Sequence, residues 1–222
     1  MGLTMLCGVF ASLNAGDSSA DEVSEAVRWV PMDASNLDPE WRMLFERMRS
    51  VERVSAPFVE ERYFSFRKKP KVYHGVFRKS TDGSVSLAYS DPEVMALHVG
   101  EGFAFYRKGE GPVRRIPQGH GRGELLEVLP RLLRLDLAKL TDDYELMGAW
   151  EETSWRLRLI AKRQALDSLP YSRIELGGED AAVRRIELCD AGEQRIVIEL
   201  GQPVYPEFYS QKSRADYFFH TE

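Results

Sequence analysis

The chain has little of what marks an enzyme or a metalloprotein. Its two cysteines, Cys7 and Cys189, stand at opposite ends, with no Cys-x-x-Cys or Cys/His spacing to build a zinc or redox site. The four histidines, His74, His98, His120 and His220, include no i, i+4 pair, so only long-range convergence could make a metal centre from them. No Gly-x-Ser-x-Gly elbow, His-Glu-x-x-His helix or Rossmann glycine fingerprint occurs. A net charge of −5 gives no general affinity for nucleic acid. No apolar run reaches the roughly 20 residues of a membrane-spanning helix. The carboxylate pairs Glu60-Glu61, Asp142-Asp143 and Glu151-Glu152 are sequence neighbours, and neighbours on a strand point to opposite faces. They are therefore poor acid/base pairs. The expectation is a protein with no catalytic residues, cofactor or metal.

What is present is apolar. The composition is 43% hydrophobic and 11% aromatic, enough for a sizeable core and too much for a disordered chain. Leu3 to Ala15 is apolar and uncharged, then gives way to Gly16-Asp17-Ser18-Ser19. This reads as a signal peptide over 1–15 cleaved after Ala15, although Met1-Gly2 lack the usual basic start. The expectation is export from the cytoplasm. Residues 16–35 are polar and acidic and are expected to be loosely ordered, leaving 36–222 as a single domain.

The periodicity then predicts the elements. Asn36 or Asp38 can cap a helix that Pro39 starts, and Trp41, Leu44, Phe45, Met48 and Val51 recur at helical spacing. From Phe58 the period becomes two. Strands are expected over 58–66, 72–79, 84–89, 94–99 and 103–106, and Asp82-Gly83 is a strong hairpin signal. Residues 107–123 hold five glycines and two prolines and read as a flexible loop. A leucine-rich helix follows from Glu124 to Leu140, with Pro130 expected to break or kink it. Five more strands are expected to Leu200, with Gly177-Gly178 and Ala191-Gly192 at turns. Such short connections imply antiparallel pairing, since parallel pairing needs long crossovers.

The run from Phe58 to Tyr106 resembles the LolA/LolB superfamily of periplasmic lipoprotein carriers. Phe58-Val59-Glu60-Glu61 looks like its first strand, and Gly75-Val76-Phe77-Arg78-Lys79 like its glycine-x-hydrophobic-x-basic segment, with Lys79 where the family usually has proline. Ser86-Leu87-Ala88-Tyr89 with Pro92-Glu93, and Val99 to Tyr106, are similar to its return strand and next hairpin. The resemblance implies an α+β fold, a curved antiparallel half-barrel sheet covered on its concave face by helices. It implies a carrier or chaperone that binds lipoprotein acyl chains or another lipid and moves them towards the outer membrane. Transport proteins at the inner and outer membranes would be partners of such a carrier, and a monomer is expected. Arg78 would correspond to the arginine that latches the helical cover. Val76, Leu87, Tyr89, Leu97, Phe103, Phe105, Leu126, Leu129 and Leu133 are the candidate cavity wall. The alternative is a regulatory or sensor protein of the same fold that holds a protein partner, docked on Lys68, Lys69 and Lys71 of the basic hairpin at 67–71 or on the loop at 107–123.

Overall fold

The computed structural model describes residues 27–51, 53–80, 82–116, 123–192, 194–205 and 218, and for 123–128 the backbone alone. The expected signal peptide, the side chain of Leu126 and the histidines His120 and His220 lie outside the described residues.

Helix α1 (Pro39–Ser50) begins as its sequence dictates. Pro39 supplies the helical φ at no hydrogen-bond cost, Glu40 sits in the first turn, and Arg47 and Arg49 sit in the last, all in favourable relation to the helix dipole. Trp41, Leu44, Phe45 and Met48 are its buried stripe. Two further helices, α2 (Gly123–Arg134) and α3 (Leu137–Asp143), come from the leucine-rich stretch.

Twelve strands pair with one another as antiparallel neighbours. They are β1 (Val30–Pro31), β2 (Val54–Tyr63), β3 (Lys71–Lys79), β4 (Val85–Asp91), β5 (Met95–Gly100), β6 (Phe103–Lys108), β7 (Arg114–Arg115), β8 (Tyr144–Glu151), β9 (Ser154–Ala161), β10 (Arg173–Glu179), β11 (Ala182–Cys189) and β12 (Arg195–Leu200). They form one open sheet in the order β1-β8-β9-β10-β11-β12-β2-β3-β4-β5-β6-β7. Two meanders, β2 to β7 and β8 to β12, are joined at a seam where β12 pairs with β2 (Leu200 opposite Phe58, Ile198 opposite Glu60). The Pro57 carbonyl accepts from Gly201 N–H at 2.8 Å along that seam. The fold is the expected α+β half-barrel, a large antiparallel sheet left unclosed with few helices against it.

Alternation gives the sheet two unlike faces. The inner face carries Ala56, Phe58, Phe77, Leu87, Tyr89, Val99, Leu146, Leu157, Leu159, Ile174, Leu176, Ile186, Leu188 and Ile198, all buried and continuous with the stripes of the three helices. Burying each such side chain contributes about 1.5–3 kcal/mol, so this face dominates stability. In the second meander the outer face is a ladder of partly buried ion pairs. Arg158 pairs with Glu175 at 2.9 Å, Arg185 with Glu187 at 2.8 Å, and Arg173 bridges Glu175 and Glu187 at 3.3 and 3.5 Å.

Three expectations are corrected. Pro130 neither ends nor breaks the helix but lies within α2, which runs on to Arg134. Just beyond it Leu135 takes φ 52°, its N–H reaching Leu132 O at 3.0 Å and the Asp136 N–H reaching Arg131 O at 3.4 Å, the two bonds of a Schellman end. Leucine in that conformation costs about 1–2 kcal/mol, a cost offset by its own nearly complete burial. Gly177 and Gly178 are not a turn but lie inside β10 at a register shift, and the turn is carried by Asp180 at φ 49°. The polar segment read as loosely ordered up to residue 35 also contributes to the sheet, as β1 pairs with β8.

Candidate functional site

The connection from β7 to β8 runs from one edge of the open sheet to its other meander, and it carries α2 and α3 on the inner face. The cover is therefore a strap held at both ends rather than a lid on one hinge. Leu129, Leu132 and Leu133 of α2 and Leu137 and Leu140 of α3 belong to the same core cluster as Phe77, Leu87 and Leu146. Across the second meander, α1 lays Trp41 5.0 Å from Trp150. Gly148 is needed there, because a Cβ would fall 2.4 Å from the Trp41 ring.

Polar ties help hold these helices down, two of them at the C-terminal ends of α1 and α2. The Lys79 ammonium donates to Met48 O at the end of α1 at 3.3 Å, and burial lowers its pKa. The Arg134 guanidinium, at the end of α2, bonds Glu101 Oε2 in the β5–β6 turn at 2.8 Å and holds that carboxyl below its usual range. Between α1, α2 and the sheet lies a cleft of about 40 Å³ lined by Met48, Ala56, Phe77, Lys79, Leu133 and Leu200 among others. This is far below the roughly 300 Å³ at which small-ligand sites begin. The wall is occupied by the strap.

At the β2–β3 end the wall turns polar. Glu60 is 0% exposed on the inner face, whereas its neighbour Glu61 is on the outer one, as strand alternation requires. The Tyr89 hydroxyl donates to Glu60 Oε2 at 2.7 Å, and Arg62 Nε donates to Glu60 Oε1. Arg62 also lies 4.6 Å over the Tyr73 ring, as does the Lys71 ammonium. Phe58 packs edge-on to Tyr89 at 5.2 Å. A buried carboxylate so fully engaged is not a free general base. It fixes the polar end of an otherwise apolar surface.

The same burial makes an alkaline signature. Burial, and then the Glu60 charge, push the Tyr89 phenol well above its ordinary value, and burial followed by Asp143 pushes Tyr144 up to about 12. A phenol whose folded pKa is raised keeps its proton longer folded than unfolded. Its contribution is intact below pH ~10 and is lost as pH rises through the folded value. Urea midpoints should stay level between pH ~7 and ~9 and fall above ~10, with a shallower fall in Tyr89→Phe and Tyr144→Phe. An identical fall in wild type and both variants would refute the assignment.

Of the residues expected on the wall, the structure brings together Leu87, Tyr89 and Leu97 on the sheet with Leu129 and Leu133 on α2. Leu126 belongs to α2, but its side chain lies outside the described residues. Val76, Phe103 and Phe105 are placed on the opposite face, because strand alternation sets Val76 against Ala88 and Phe103 against Gly100 there. Arg78 sits on the outer face opposite Ser86, and the next residue, Lys79, reaches α1. Lys68 and Lys69 are exposed at the hairpin tip, whereas Lys71 is drawn back onto Tyr73. Sequence reasoning missed Glu60 and Arg134, whose partners Tyr89 and Glu101 are remote in the chain, and with Glu60 it missed Arg62.

Part of the outer face of the first meander is also covered. Phe218, near the C-terminus, stacks on His98 with ring centroids 4.1 Å apart, and its carbonyl accepts from Ser86 Oγ at 2.5 Å. Among the described residues no group of three or more His, Cys, Asp or Glu side chains could hold a metal ion, and no helix is long and apolar enough to cross a membrane.

No protein-family model matches the chain, and no curated protein does. Among solved structures it is similar to a LolA superfamily protein from Nitrosomonas europaea, at 8% identity over 78% of this chain and 96% of that one, with a TM-score of 0.42. It is similar to an outer membrane lipoprotein-sorting protein domain from Vibrio parahaemolyticus, at 8% identity over 81% and 97%, with a TM-score of 0.45. It is also similar to the MucA/MucB complex of Pseudomonas aeruginosa, at 16% identity over 78% of this chain and 58% of that one, with a TM-score of 0.44. At identities this low the likeness is one of fold.

Proposed function

We propose that the protein is a non-catalytic periplasmic binding protein. It takes an acyl chain of a lipoprotein, or another lipid, between the strap and the inner wall and passes it towards the outer membrane. One observation carries this reading: a continuous apolar wall covered by a connection tethered at both ends. Each methylene that leaves water on such a wall contributes about 0.8 kcal/mol. Many weak contacts of this kind give affinity without a deep specific pocket. The 40 Å³ cleft is itself too small for an acyl chain, so entry there requires α2 to rise. The Arg134–Glu101 pair is the exposed tie that resists this movement.

The test is solvent extraction of the native protein followed by mass spectrometry, with titration of the delipidated protein by a fluorescent fatty acid. A co-purified lipid and saturable binding are expected, with faster uptake in Arg134→Ala. Absence of lipid from the extract together with no saturable binding by either form would overturn the proposal.

A further inference from the structure

We propose that the turn between β2 and β3 is a docking tip for an anionic phospholipid bilayer, an inference that rests on the carrier reading for its purpose but not for its test. The turn runs Phe64-Ser65-Phe66-Arg67-Lys68-Lys69-Pro70, and Arg67 N–H closes it on Phe64 O at 2.9 Å. That closure leaves Phe66 81% exposed, more than any other described large hydrophobic residue. Phe64 supports it from 5.4 Å. Arg67, Lys68 and Lys69 follow, all exposed, and Lys71 stands at the start of β3. No acidic residue lies between Tyr63 and Tyr73, in a chain whose net charge is −5. The rest of such a chain is repelled by an anionic surface, so the tip is the part that would approach it.

Behind the tip a hollow of about 560 Å³ opens on the outer face. The turn lines it with Phe64, Ser65 and Arg67, and the facing strand ends supply Arg173 and Arg195, with Asp190 the acidic member. It has the size for a phosphate headgroup beside the inserted ring, and Arg67 lines it from the tip, while Arg173 and Arg195 also pair with Glu187. An acidic peptide would be held by the cations alone and would leave Phe66 in water. An aromatic side chain set among lysines is the composition that seats at the boundary between headgroups and acyl chains. The same end of the sheet carries Arg62, Lys71 and Tyr73 on the inner face. A docked molecule would thus present the polar end of its wall to the bilayer.

The experiment is co-sedimentation of the full chain with phosphatidylcholine vesicles, pure or containing about one third phosphatidylglycerol. Binding is expected to the anionic vesicles and to be weak on the neutral ones. Each cation removed should lower partitioning about fivefold, so Lys68→Glu/Lys69→Glu should lower it by more than about 25-fold. Phe66→Ser should lower it about tenfold at any salt concentration, and Phe66→Trp should give blue-shifted emission with anionic vesicles alone. Equal binding to both vesicle types, or unchanged binding by the charge-reversed variant, would overturn the proposal. So would competition by polyglutamate combined with no effect of Phe66→Ser, which would assign the tip to an acidic protein partner. Fatty-acid titration of the same variants without vesicles separates the two readings. Lost vesicle binding in the variants with intact fatty-acid uptake supports the tip, whereas failed fatty-acid uptake with intact vesicle binding removes the carrier reading and leaves the tip standing.

Discussion

Arg62→Met should lower folding stability by about 3 kcal/mol, while addition of Glu60→Gln to that variant should recover half of the loss or more. The asymmetry follows from what each change leaves behind. Glu60 is fully buried, and its two donors are Tyr89 and Arg62. Removing the guanidinium strands a carboxylate inside the sheet with one hydroxyl for company, and an uncompensated buried charge costs far more than the pair is worth. The outer edge of Arg62 reaches water, which places the expected loss at the lower end of the range for buried pairs. The amide introduced by Glu60→Gln would carry no charge, and its carbonyl would still accept from the Tyr89 hydroxyl. Urea unfolding of the single and double variants, with unchanged m-values, decides the matter. A double variant less stable than Arg62→Met would show that the pair is not acting as a buried charge couple.

Trp155→Ala should cost about 3–5 kcal/mol, a large share of the stability of a domain of ordinary size. The indole is 1% exposed and fills the space against Gly178, where a Cβ would lie 2.5 Å from the ring. Its Nε1–H donates to Asp180 O at 2.8 Å and so fixes the strained turn that starts β11. Two losses therefore add: a cavity in the second meander and the indole hydrogen bond that holds the turn. Trp155→Phe keeps much of the volume and loses the hydrogen bond, and should cost about half as much. Thermal or urea unfolding that placed Trp155→Ala within about 1 kcal/mol of wild type, roughly the median effect of any substitution, would contradict this account of the packing.

The strands were legible because alternation and turn chemistry are local. Asp82-Gly83 marks its hairpin, with Gly83 at φ 76°, and Trp155-Arg156-Leu157-Arg158-Leu159 declares its faces because charge lies on one side and hydrocarbon on the other. The first meander offers no such contrast. Val76, Ala88, Phe103 and Phe105 are as apolar as the inner residues, and Phe218 packs on that outer face. Alternation there identifies a strand but not its phase, and a slip of one exchanges Arg78 for Lys79. The end of α2 was illegible for another reason. Leucine at a left-handed position carries no sequence signal, whereas Pro130 carries a strong one that tertiary packing overrides. Glu60 was missed because its hydroxyl partner stands 29 residues away.

The seam between β12 and β2 sets an order of events for a chain made from its N-terminus. β2 and its meander are complete long before Arg195–Leu200 has been synthesised, so one side of β2 is an open template for any passing strand until the last partner arrives. That side is the one on which Pro57 presents its carbonyl to Gly201 and has no N–H to offer. Glu60 and Glu61 add charge to the same strand. Proline and paired acids on a waiting edge are gatekeepers against premature pairing, and they cost the finished sheet one ladder bond.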